Sequence, residues 1–191
     1  MSVLVAPTKS NLMKAKSSLD LSQKGYELLD KKRNVLIREM MVLVEKAKSI
    51  QAEIYGIIED AYRALQTVNI TMGITQVEDI ARGIPKDENF DILLKSVMGV
   101  DIPMVKYEEQ SVFPTYGFHN TNPALDLAAE QFRKVRYKVY ELAEIENSIF
   151  KLAKEIEKTQ KRTNALGHIQ IPKYKEQVKY CLLYTSDAAD D

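Results

Sequence analysis

The chain has 191 residues, with 27 Lys plus Arg against 27 Asp plus Glu, and so carries no net charge at neutral pH. That balance leaves no bulk electrostatic footprint for a nucleic-acid partner. With 28% charged residues, seven Gly, six Pro and no Trp, the composition is that of long helices.

Targeting and membrane signals are weak. The strongest apolar run, Met40–Val44, is ended by Glu45, far short of the roughly 20 residues of a membrane span. "MSVLVAPTKS" lacks a basic stretch followed by a full apolar core, so no secretory signal is expected. The single cysteine, Cys181, cannot close an internal disulfide, and a reduced, cytoplasmic setting is expected.

From about residue 10 to 70 an apolar stripe steps alternately by three and four. It passes through Leu12, Ala15, Leu19, Ser22, Tyr26, Leu29, Arg33, Leu36, Met40, Leu43, Ala47, Ile50, Ile54, Ile57, Ala61, Ala64 and Val68. The mean step is that of a left-handed coiled-coil seam. No Pro interrupts it, which predicts one helix of roughly 85 Å. Ser22 and Arg33 are its polar members. Either they fix register, or they meet solvent or another protein.

Residues 71–121 change character, with Gly73, Gly83, Gly99, Gly117, Pro85, Pro103 and Pro114. "SVMGVDIPMVKY" (96–107) and "SVFPTYGF" (111–118) suit short strands, with a hairpin possible. A second stripe follows Pro123, which suits the first turn of a helix capped by Thr121 or Asn122. It reads Leu125, Ala128, Phe132, Val135, Val139, Leu142, Glu146, Ile149, Ala153, Ile156, Gln160 and Thr163.

Two such seams must bury each other. The expected fold is therefore mainly α: a long antiparallel two-helix coiled coil with a short irregular middle segment in which a small β-hairpin is possible. Its seam would include Leu19, Tyr26, Leu36, Leu43, Ile50, Ile54, Phe132, Val139, Leu142, Ile149 and Ile156. The whole of 1–180 reads as one domain, with the C-terminal helix spanning about 122–180. Residues 181–191, "CLLYTSDAADD", differ in style, with three Asp and no Lys or Arg, and are expected to be a non-native tail.

No catalytic set stands out. The chain has no HExxH, no glycine-rich phosphate loop and no Cys pair. His119 and His168 fall at opposite ends of the hairpin and read as surface or interface residues. Glu108, Glu109, Glu144 and Glu146 read as solvated faces. Tyr26, Tyr55, Tyr62, Tyr137 and Tyr140 read as core and rim packing. No metal or cofactor is implied.

Two blocks carry a resemblance. "PTKSNLMKAKSSLDLSQKGYELLDKKRNVLIREM" (7–40) and "KRTNALGHIQIP" (161–172) are similar to the N- and C-terminal signatures of the D subunit of V-type and archaeal A-type ATPases. Gly25–Tyr26, Lys31–Arg33 and Arg162–Leu166 carry most of it. Gly167 departs from it, since an acidic residue is commoner there, and predicts a locally weakened helix.

The resemblance implies a non-catalytic central-stalk rotor shaft of a rotary ATPase, cytoplasmic and peripheral to the membrane. The implied partners are the catalytic and nucleotide-binding ring subunits A and B, the F subunit of the central stalk, and the membrane-ring adaptor subunit (C/d). Lys9, Asn11, Lys14, Lys16, Lys161, Arg162 and Asn164 are then expected to lie together at the termini end and contact the ring. The alternatives are a free-standing coiled-coil scaffold or chaperone-like module, and an enzyme with a site in 71–121.

Overall fold

The computed structural model describes residues 6–84, 90–108, 116–117 and 121–187. Its elements are α1 (Lys9–Met72), α2 (Ile74–Gly83), β1 (Phe90–Val97), β2 (Val100–Tyr107), α3 (Pro123–Ala165) and α4 (Ile171–Asp187). A π-helical segment, Leu166–Gln170, joins α3 to α4. Among the described residues the architecture is mainly α, with one antiparallel hairpin in the middle of the chain, in line with the sequence.

Local chemistry sets the boundaries. Thr8 opens α1: its Oγ1 accepts the Asn11 N–H at 3.3 Å. Gly73, at φ 88°, ends α1 in a backbone conformation that an L side chain rarely adopts. The chain then re-enters a helix, α2, where an irregular segment was expected. Ten residues are too few to announce a helix by periodicity. Tertiary packing holds α2, because Val77 and Ile80 lie against a core of Ala64, Val68, Leu125 and Ala128. At the start of α3, Pro123 takes the first helical position, and Asn122 rather than Thr121 is the cap. The Asn122 Oδ1 accepts the Leu125 N–H at 3.1 Å, and its Nδ2 donates to Thr71 Oγ1 at 2.7 Å.

The chain divides into two compact units. The first joins residues up to Glu39 with those from Leu152 onward. Within it α1 runs antiparallel to α3 and α4. Arg33 lies across from Gln160, Gly25 from Leu166, and Leu19 shares a shallow groove with Val178 and Leu182. Leu36, Leu152, Thr159, Thr163 and Cys181 are buried here. Cys181 faces inward from α4, which continues to Asp187.

The second unit spans Met40–Lys151. Ala47, Ile50, Ile54 and Ile145 form one core cluster, flanked by Leu43, Leu142 and Ile149. Ion pairs bridge α1 and α3 beside it: Lys138 to Glu53 at 3.0 Å and Lys46 to Glu141 at 3.2 Å. Tyr62 meets Phe132 edge-on. Tyr55, expected to pack, is 76% exposed.

The stripe on α3 needs correction. Val139 is 44% exposed, and Glu146 and Ala153 also face solvent. Ile145, Ser148, Leu152 and Thr159 are buried in their stead. Val135, Leu142, Ile149, Ile156 and Thr163 recur every seven residues and belong to either phase of a three-four alternation. Only the positions between them slip by one. The sequence offers apolar residues at both 152 and 153, so spacing alone does not choose.

In the hairpin β1 pairs antiparallel with β2, from Phe90 opposite Tyr107 to Val97 opposite Val100. The two-residue turn, Met98–Gly99, has positive φ at both positions, 51° and 77°. That geometry matches the right-handed twist of the strands. The stretch 96–107 holds β2, as expected of it. Of 111–118, only Tyr116 and Gly117 are described, and neither is in a strand. The hairpin is seated on α3 through rings from both strands: Tyr107 of β2 stacks on Tyr137 at 5.0 Å, and Phe90 of β1 meets Tyr140 at 5.3 Å.

Candidate functional site

The polar members of the α1 stripe have a structural partner. Arg33 projects from α1 with its side chain 22% exposed. Its Nη1 donates to Gln160 Oε1 at 2.7 Å, and its Nη2 meets Asp30 Oδ1 at 2.6 Å. Gln160 Nε2 donates in turn to Asn164 Oδ1 at 2.7 Å. A chain of polar contacts thus runs Asp30–Arg33–Gln160–Asn164, from one helix to the other. Ser22 resolves differently: its Oγ donates back to the Ser18 carbonyl at 2.7 Å.

Beside this chain, Lys32 reaches Glu155 at 3.0 Å, with Lys158 on the same carboxylate at 3.6 Å. The hydrogen bond from Lys32 holds the Glu155 carboxyl below its ordinary range. Underneath lie Thr159 and Thr163, each 2% exposed. The Thr163 hydroxyl donates to the Thr159 carbonyl at 2.9 Å, so it needs no partner from α1.

One turn further, two glycines face the opposite helix. Gly25 sits 3.7 Å, measured from an added Cβ, from Leu166. A Cβ on Gly167 would lie 2.9 Å from Tyr26 Cε2. A side chain at 167 would require the Tyr26 ring to shift. The helix widens into its π turn at the same place, Leu166–Gln170.

The expected ring-contact residues do not form one cluster. Lys9, Lys14 and Lys16 are exposed near the start of α1, with Asn11 half-buried. Lys161, Arg162 and Asn164 are exposed on α3, level with Arg33. Lys16 and Arg33 are separated by about 25 Å along α1 at 1.5 Å per residue. Lys161 is engaged by Glu157 at 2.6 Å, an exposed i,i+4 pair. That hydrogen bond holds the Glu157 carboxyl below its ordinary range.

Asp30 and Thr159 do not stand out in the sequence. Asp30 and Arg33, three apart on one helix face, are the signal that was available. Of the remaining candidates, His168 is exposed in the π segment, and His119 and Glu109 lie outside the described residues. Glu144 has a structural task, accepting the Val105 N–H at 2.7 Å. Among the described residues no group of three or more His, Cys, Asp or Glu could hold a metal ion. No helix among them is long and apolar enough to cross a membrane.

Comparison with known proteins gives this pairing of helices a family. The family model for the ATP synthase D subunit matches residues 11–188. The chain belongs to the family of ATP synthase D subunits.

A V-type ATP synthase D subunit of Thermotoga neapolitana is 44% identical over 176 residues, covering 92% of this chain and 87% of that protein. The A-type ATP synthase D subunit of Pyrococcus furiosus is 35% identical over 179 residues, covering 92% and 84%. That of Methanopyrus kandleri is 35% identical over 178 residues, covering 92% and 77%. The two blocks that resemble the signatures of this family, 7–40 and 161–172, are the ones that meet face to face at Tyr26–Gly167.

Proposed function

We propose that this member of the family is the central-stalk rotor shaft of a V-type/A-type rotary ATPase. In this reading it couples ATP hydrolysis or synthesis in a catalytic ring to proton or sodium transport across the membrane. It contributes no catalytic group. Its partners are ring subunits A and B, the F subunit of the central stalk, and the adaptor subunit on the membrane ring (C/d).

The observation that carries this reading is the pairing of the two signature blocks. A shaft must resist sliding and unwinding of one helix on the other. Arg33–Gln160 and Lys32–Glu155 cross between helices, and the Tyr26 ring lies on the Gly167 backbone. An asymmetric shaft within a ring of equivalent sites makes those sites differ by contact. Each orientation then favours a different nucleotide state through differential binding free energy.

Lys161, Arg162 and Asn164 supply one band of contacts to acidic ring surfaces in this reading. Lys9, Asn11, Lys14 and Lys16 supply a second, separate band. The test is reconstitution of this chain with ring subunits A and B and the F subunit, reading co-elution and ATP turnover together. Stable co-elution with altered turnover is expected. A chain that elutes alone, at concentrations where a relative of known assembly binds, overturns the proposal. Reversing Lys161 and Arg162 to Glu is expected to loosen the link between hydrolysis and rotation. Unchanged coupling in that variant would exclude this band as a contact.

A further inference from the structure

The hairpin has two outer edges, and they are treated differently. Val97 and Val100 flank the two-residue turn and form a hydrogen-bonded pair. By alternation Lys95, Leu93 and Asp91 turn their backbone groups toward β2. Ser96, Leu94, Ile92 and Phe90 turn theirs outward.

On β2 the outward groups belong to Asp101, Pro103, Val105 and Tyr107, and α3 meets the first three with side-chain hydrogen bonds. Glu144 accepts the Val105 N–H at 2.7 Å, Ser148 Oγ donates to the Pro103 carbonyl at 3.5 Å, and Lys151 donates to the Asp101 carbonyl at 2.9 Å. Pro103 has no N–H to leave open. On β1, among the described residues, nothing covers the outward groups of Ile92, Leu94 or Ser96. The side chains there are exposed too: Ile92 at 62% and Leu94 at 65%. An open, apolar strand edge is a template for another strand.

We propose that this edge is self-complementary, and that a second copy of this chain pairs with it antiparallel about a two-fold axis at Leu93. The result is a four-stranded sheet shared by two copies. Charge chooses both the occupant and the register. Only outward-facing residues exchange bonds, so a symmetric pairing centres on Ile92, Leu93 or Leu94. Centred on Leu93, Ile92 bonds with the partner's Leu94, and Asp91 stands opposite the partner's Lys95. Symmetry repeats that ion pair, giving two per dimer. Centring on Ile92 sets Asp91 against a leucine, and centring on Leu94 sets Lys95 against one.

One eight-residue edge is small beside the roughly 1,200 Å² of a stable interface. Association is therefore weak and concentration-dependent. This inference is independent of the rotor reading, because it concerns the chain before it joins any complex.

The test is sedimentation equilibrium of the full chain over a wide concentration range. A reversible dimer is expected for the wild type. Asp91→Lys or Lys95→Asp alone places like charges opposite each other twice and is expected to weaken dimerisation by about tenfold. The double variant D91K/K95D restores both ion pairs and is expected to recover affinity to within about threefold. Ile92→Pro removes an outward N–H without touching the β1–β2 ladder, as Pro103 does on β2. It is expected to abolish the dimer with the circular dichroism spectrum retained.

In a Cys181→Ser background, Leu93→Cys on the axis is expected to cross-link between copies faster than Ile92→Cys. A monomer at every concentration overturns the proposal. So does association indifferent to the single reversals, failure of the double variant to recover, or equal cross-linking at both positions.

Discussion

Replacing Gly167 with Ala should change sign with the residue it faces. Alanine favours a helix over glycine by about 1 kcal/mol, so on propensity alone the substitution stabilises. The new methyl, however, would stand 2.9 Å from Tyr26 Cε2, where ordinary contact begins near 3.4 Å. Overpacking of this kind costs on the order of 1–3 kcal/mol. Taking about 2 kcal/mol for a ring that is 38% exposed and has room to swing, Gly167→Ala is expected to destabilise by about 1 kcal/mol net. In a Tyr26→Ala background the obstacle is gone, and the same change is expected to stabilise by about 1 kcal/mol. The coupling between the two positions is then about 2 kcal/mol. Urea unfolding of the four proteins in the cycle, followed by circular dichroism, measures it. The same sign and size of effect in both backgrounds would refute the steric account of Gly167.

Asn122→Ala removes the side-chain cap of α3 and the contact with Thr71. It is expected to lower stability by about 1 kcal/mol in thermal unfolding, with Asn122→Asp recovering most of the cap. Met98 holds a left-handed φ of 51° in the hairpin turn and is 53% exposed. Met98→Asn, which suits that conformation, is expected to stabilise the hairpin by about 0.5–1 kcal/mol, read as slower amide exchange in β1 and β2. Burial, then the hydrogen bond to Asp126, pushes the Tyr116 phenol up to about 12 from 10.0. A phenol with a raised folded-state pKa contributes stability that is complete below pH 10 and lost as pH rises through 12. Spectrophotometric titration is expected to show a late-ionising tyrosine signal that is lost in Tyr116→Phe.

The helices were legible in the sequence because their signal is long. The α1 stripe holds its phase, and Leu36, Ala47, Ile50, Ile54, Ala61, Ala64 and Val68 are all buried on it. The α3 stripe lost its phase after Val135, because heptad positions constrain the alternation only at every seventh residue. β2 was visible through Gly99 and Pro103, whereas β1, "FDILLKSV", reads apolar on both faces and offers no period of two.

The polar chain at Arg33 was half legible. A charged residue on an apolar stripe is conspicuous, but its partner Gln160, a polar member of the other stripe, lies 127 residues away, and spacing does not pair the two. That Lys161 lies level with Arg33 rather than with Lys9 was hidden for a similar reason. Proximity across an antiparallel pair depends on register, and register is written in pairs such as Tyr26 and Gly167. The departure at Gly167, read in the sequence as a weakened helix, is where the Tyr26 ring meets the opposite helix.

The cover that α3 gives β2 sets a limit on how long such a hairpin can grow. Outward groups on a strand recur every two residues, about 6.8 Å apart. The helix offers its side chains from Glu144, Ser148 and Lys151, four and three residues apart, thus about 6.0 and 4.5 Å. Two rulers of unequal spacing, laid side by side, drift by roughly 3 Å over two intervals. A carboxylate meets the first mark, a short hydroxyl stretches to 3.5 Å at the second, and a long lysine makes up the arrears at the third. A fourth mark in the same direction would fall further behind, and the strand turns back at Val100 before reaching one.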